Sequence, residues 1–156
     1  MKKGLREPFP LSWNVIMETR KKDGTVIDRE KVHNDVVNSG KYNVGDYLGG
    51  LASGLAGFTY IAIGESESGD SVVAGDTALK SEATRALATI NRTGNVVTFE
   101  KTFSFGSGES YAIAETGLFD SASESGSVMF NRAVLASVKN VDDETDLYVK
   151  ITITVG

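Results

Sequence analysis

Near its end the chain runs DLYVKITITV, in which Leu147, Val149, Ile151, Ile153 and Val155 all point one way. Successive side chains of a strand face opposite sides, so this period of two describes a half-buried strand. The alternation recurs along the chain. Trp13, Val15 and Met17 alternate with Asn14, Ile16 and Glu18. Val97, Phe99, Phe103 and Phe105 share one face, with Lys101 the exception, and Thr98, Glu100, Thr102 and Ser104 share the other. Asp23-Gly24 and Thr93-Gly94-Asn95 fall between such runs, where a hairpin needs its turn.

These patterns predict eight strands, near 12–20, 25–33, 58–64, 84–92, 96–105, 111–118, 128–138 and 147–155. The segments 84–92 and 96–105 are read as one hairpin, and Asp76-Thr77-Ala78-Leu79 as a single capped turn. Only residues 38–52 change period. Val44, Leu48, Leu51 and Leu55 are spaced as on one helical face, with Asn38 or Ser39 as the cap. Gly45, Gly49 and Gly50 each weaken such a helix by about 1 kcal/mol relative to alanine, so it must be held by packing on a sheet. There is no βαβ rhythm. The expected fold is all-β: an antiparallel β-sandwich or jelly-roll over 12–156, as a single domain, with one short packed helix. Pro8 and Pro10 make residues 1–11 an extended arm, and Phe9, Leu11 and Trp13 are its interface candidates. Trp13 reads equally well as a core residue of the first strand.

With 156 residues, 40% of them hydrophobic, the chain can bury a core. The net charge of −5 argues against binding along a nucleic-acid backbone. The absence of cysteine removes disulfides, thiolate metal sites and cysteine nucleophiles. No apolar run approaches a membrane span, and MKKGLREPFPLSW lacks the apolar core of a signal peptide. A soluble protein is expected.

Few residues offer chemistry. His33 is the one histidine and reads as a turn or capping residue. Glu65, Glu67 and Asp70 lie close enough in sequence to suggest a hard cation, but without EF-hand spacing, and they read as a solvated acidic turn. Glu115, in the strand segment AIAETGLFD, is the sharpest case. A buried unpaired carboxylate would protonate, so the glutamate needs a partner. Arg85 and Arg132, each in the middle of a predicted strand, are the candidates for a structural ion pair across a sheet. A catalytic reading would require a second acid, and Asp120 is the nearest.

Several short motifs occur in a characteristic order: HNDVVNSGKYNVGDYL leading into a helix, Ile61-Ala62-Ile63-Gly64, Thr77-Ala78-Leu79 with Glu82 and Arg85, then Glu115-Thr116-Gly117-Leu118-Phe119-Asp120 with Gly126, Phe130 and Arg132. Over about residues 33–155 this resembles a group of small structural proteins of tailed bacteriophages. Part of it also resembles the N-terminal attachment domains of some phage tail fibres. The resemblance implies a non-enzymatic virion component without cofactor or metal, made in the host cytoplasm and placed on the particle exterior. The chain stops after its last strand, without a fibre shaft, which points to a capsid decoration (cement) protein. Its partner would then be the major capsid protein, or tail proteins in the alternative, and such proteins are commonly homo-oligomers, trimers among them. A carbohydrate-binding or hydrolytic β-sandwich is the competing class. It requires an exposed aromatic row or paired acids, and the chain has one tryptophan and five tyrosines.

Overall fold

A computed structural model describes residues 11–33, 35–49, 57–67 and 69–155. The expected arm falls outside these residues, Phe9 included, except for Leu11. That residue opens the first strand and pairs with Val155.

Ten strands and one helix follow one another: β1 Leu11–Lys21, β2 Val26–His33, β3 Asp35–Val36, α1 Asn38–Leu48, β4 Tyr60–Gly64, β5 Glu82–Leu87, β6 Thr89–Thr93, β7 Val96–Ser104, β8 Ser110–Phe119, β9 Met129–Asp142 and β10 Thr145–Val155. They form two antiparallel five-stranded sheets, ordered β2-β1-β10-β7-β6 and β3-β9-β8-β4-β5. The all-β sandwich with one short helix is therefore the fold. The first and last long strands pair over their whole length, so the alternating β10 lies at the centre of the first sheet.

The main core lies between the sheets. Val15, Met17, Phe99, Leu147 and Ile151 from the first sheet meet Ile61, Ile63, Ile113, Leu118 and Leu135 from the second. Each fully buried aliphatic side chain contributes about 1.5–3 kcal/mol. The opposite face of the first sheet is polar. There Glu18 pairs with Arg20 at 2.5 Å and Arg29 at 3.5 Å, and Arg20 lies 3.8 Å over the Tyr148 ring.

Two departures from the expected strands have the same cause: a strand can bend without a turn residue. The run 84–92 is two strands. Leu87 pairs with Tyr60 in the second sheet and Thr89 with Glu100 in the first. Between them Ala88 is buried, and its N–H donates to the Thr59 carbonyl at 2.8 Å. Only residues 89–93 belong to the hairpin with β7. The strand expected to end at Val138 runs on to Asp142. Its ladder with β8 jumps from Glu115↔Val134 to Ile113↔Lys139, so residues 135–138 form a bulge opposite Ala114.

The helix stops at Leu48, with Gly49 in a turn and residues 50–52 outside those described. Neither Asn38 nor Ser39 caps it by side chain. The Val37 carbonyl accepts from Lys41, and the Ser39 hydroxyl donates instead to the Met129 carbonyl at 2.6 Å. Packing does hold it on a sheet. A Cβ on Gly40 would sit 2.2 Å from the Phe130 carbonyl oxygen, so the helix touches β9 backbone to backbone. Among the described residues, no helix is long and apolar enough to cross a membrane.

Candidate functional site

The second sheet has small residues on the middle of its outer face. Arg132, Gly117, Ala62 and Arg85 form one row across β9, β8, β4 and β5. Residues 65–67 and 69–81 close over this row as a flap. Leu79 inserts between the two arginines into a second core with Ala62, Phe119, Met129 and Val37. The flap needs the small residues. A Cβ on Gly117 would lie 2.8 Å from the Asn131 carbonyl oxygen and 3.2 Å from Leu79 Cδ2. A Cβ on Gly64 would lie 2.6 Å from the Ser81 carbonyl oxygen and 2.8 Å from Glu115 Oε1.

Glu115 and Arg132 fasten the flap. Both are fully buried. Glu115 Oε2 accepts from Arg132 Nε at 2.8 Å and lies 2.8 Å from Nη2 in an ion pair, and Oε1 accepts from the Ser81 backbone N–H at 2.9 Å. Arg132 Nη1 donates to Asp76 Oδ2 at 3.0 Å and to the Ser71 carbonyl at 3.3 Å, and Nη2 reaches Asp70 Oδ2 at 3.1 Å. Every guanidinium nitrogen thus donates to an acceptor, and three of the four acceptors lie on the flap. That satisfaction makes the buried charge tolerable. Pairing raises the Arg132 pKa above its ordinary value against the opposing effect of burial. Two residues apart, Ile113 and Glu115 would share one face of a regular strand. The register shift between them sends Ile113 into the main core and puts Glu115 on the outer face with Gly117 and Phe119.

Arg85 does not meet Glu115. Its strand lies two positions from β8, beyond β4. It forks instead onto Glu82, at 2.5 and 2.6 Å, and its Nη1 gathers the Ser121 and Ser123 carbonyls and the Ser127 hydroxyl, at 3.0, 3.0 and 3.1 Å. Its guanidinium lies 4.1 Å over the Phe119 ring. This second lock holds the Ser/Gly loop after β8.

A third lock is illegible in the sequence. Lys139 is buried, and its Nζ reaches Asp28 at 2.5 Å and Glu30 at 3.3 Å on β2. Glu30 also accepts from the Ala136 N–H at 2.6 Å and the Ser137 hydroxyl at 2.9 Å. The bulge at 135–138 therefore ties an edge of the first sheet to the second. The same bulge accepts from the flap, through Gly69 N–H to the Leu135 carbonyl at 2.8 Å. A lysine just past the expected end of a strand carries no signal beyond solvent exposure.

The acidic turn is engaged in part, with Glu65 and Glu67 exposed. Asp70 bonds Lys80 at 2.5 Å as well as Arg132, and Glu65 accepts from the Ala112 N–H at 2.8 Å. Thr77-Ala78-Leu79 is not a helical turn; the backbone turn lies just before it, with Asp76 N–H donating to Val73. Asp120 closes the turn after β8 by accepting from the Val128 N–H at 2.8 Å. It does not face Glu115 as a second acid. His33 ends β2 in the open, 3.8 Å from Asp35. No cluster of three metal-ligating side chains occurs among the described residues.

Trp13 lies at the end of the main core, half-buried, with its ring 5.1 Å from that of Phe130. Its free side borders a cleft of about 220 Å3 with Val36, Lys41, Val44 and Phe130. The tryptophan is thus both a core residue and the wall of a surface cleft.

The flap lock predicts an acid limb in stability. Lys80 and then Arg132 hold Asp70 down to about 2 from an ordinary 3.8. A folded-state pKa below the unfolded value contributes stability that is complete above about pH 4 and lost as pH falls toward 2. Thermal melts between pH 5 and 2 should show this loss, and Asp70→Asn should flatten it. An unchanged acid limb in the variant would remove Asp70 from the lock.

No family model, no curated protein and no solved structure matches this chain.

Proposed function

We propose that this protein is a non-enzymatic structural component of a tailed-phage virion, a decoration protein that binds the outside of the head lattice. One observation carries the reading. Residues from several of the motifs on which the phage resemblance rests meet in one place and serve one mechanical purpose. Gly64 and Gly117 make room, Leu79 fills it, and Glu115, Arg132, Glu82 and Arg85 fasten the covering loops. At Glu115 the carboxylate is held by Arg132 and a backbone amide, which leaves it poorly placed to move a proton. A body stiffened in this way loses little further freedom when it docks, which favours binding to a lattice. A ligand that binds only the assembled state stabilises that state by mass action. The major capsid protein is the proposed partner.

Co-sedimentation tests this. Purified protein should bind saturably to heads that lack it and raise their melting temperature. A version lacking residues 1–10, which leaves β1 intact, should bind more weakly if the arm clasps a neighbour. Binding to isolated tails alone would replace the reading with a fibre or baseplate adaptor. Binding to neither, with retention on a glycan array or turnover in a hydrolase screen, would overturn it.

A further inference from the structure

Among the described residues the two sheets end in four edges, and three of them carry more than one charge, a tie to another strand or very short length. The β2 edge carries the consecutive charges Asp28, Arg29, Glu30 and Lys31, and is tied to β9. The β3 edge is two residues long. The β5 edge carries the Glu82–Arg85 fork. The β6 edge, Thr89–Thr93, has none of these devices. All five residues are exposed, including Ile90 at 42%, and Arg92 is the one charge. An unpaired strand of this kind is a template for another strand.

The turn beside it shows which groups are free. Thr93 pairs with Val96 across the two residues Gly94 and Asn95, with Gly94 at φ +59. A two-residue hairpin is closed by a hydrogen-bonded pair, and the ladder alternates from there. Thr93, Asn91 and Thr89 therefore direct their backbone groups at β7. Ile90 and Arg92 direct theirs outward.

We propose that β6 pairs antiparallel with β6 of a second copy of this chain, about a two-fold axis through Asn91. Ile90 then lies opposite Arg92 of the partner subunit, and both outward-facing residues exchange their hydrogen bonds. Ile90 covers the aliphatic stem of that arginine, and Thr89 faces the partner's Thr93. An axis through Arg92 would instead set two arginines face to face, and one through Ile90 would leave Arg92 with no outward partner on β6. Charge thus selects the Asn91 register. The two first sheets join into one of ten strands. An isologous contact closes as a dimer, not as the trimer that the phage resemblance implies. The proposal is independent of where, or whether, the protein sits on a virion.

The absence of cysteine makes the test clean. Asn91 faces its own copy at a non-hydrogen-bonded position, where Cα atoms lie about 4.5 Å apart, within disulfide reach. Oxidised Asn91→Cys should run as a covalent dimer with an unchanged circular dichroism spectrum, and Ile27→Cys on the β2 edge should stay monomeric. Sedimentation equilibrium of the full chain should fit a monomer–dimer scheme. Ile90→Lys should raise the dimer Kd about tenfold or more, the equivalent of roughly 1.4 kcal/mol. A monomer at every concentration, or a trimer in which Asn91→Cys does not cross-link, would overturn the proposal.

Discussion

Arg132→Met should lower the unfolding free energy by about 3–5 kcal/mol, because it leaves Glu115 buried without a counter-ion, and Glu115→Gln by about 2–3 kcal/mol, because it removes the buried one of the three carboxylates on Arg132. The arginine variant is the more damaging. It strands Glu115 at full burial and releases Asp70 and Asp76 together, so the flap loses every anchor that Arg132 supplies. Glutamine keeps the shape of Glu115 and one oxygen for the Ser81 N–H, while Arg132 keeps its two aspartates. The double variant should cost less than the sum of the two, with a coupling of about 1–3 kcal/mol. Urea unfolding with a constant m-value would measure all three. Additive losses would mean that the two side chains act separately.

Gly64→Ala should cost about 2–4 kcal/mol although it adds one methyl group. The new Cβ meets a backbone oxygen at 2.6 Å and the locked Glu115 carboxylate at 2.8 Å, and neither can swing away as a long free side chain would. Either the flap lifts or the ion pair breaks. Limited proteolysis should then cut within 65–81 before the sandwich unfolds. Gly75→Ala, on the same flap with nothing within 4 Å of its Cβ, should stay within about 0.5 kcal/mol of the parent. Equal effects at both positions would show that the close approach at Gly64 does not matter.

Glu115 shows how far the sequence could be read at the site. Its need for a cationic partner is a matter of solvation and belongs to the residue itself. The choice between Arg132 and Arg85 depends on strand order, because β9 borders β8 while β4 lies between β8 and β5. Asp70 and Asp76 joined the same guanidinium from a loop more than fifty positions earlier in the chain, at a spacing that carries no local pattern. Lys139 was missed because a lysine that reads as solvent-facing turned inward at a bulge, and the bulge has neither glycine nor proline to mark it.

By itself the sequence determined where the long strands lie, where the helix begins and that the fold is all-β, though not the short β3 at 35–36. Alternation, turn chemistry and propensity act between neighbours a few residues apart, and a reader of the chain sees those neighbours. Only the tertiary structure decided that the run 84–92 serves both sheets, that β9 bulges, and that Leu79 and three carboxylates converge on one glycine-lined face. Those outcomes depend on register and on contacts between residues distant in sequence, whose energies arise once the sheets have packed.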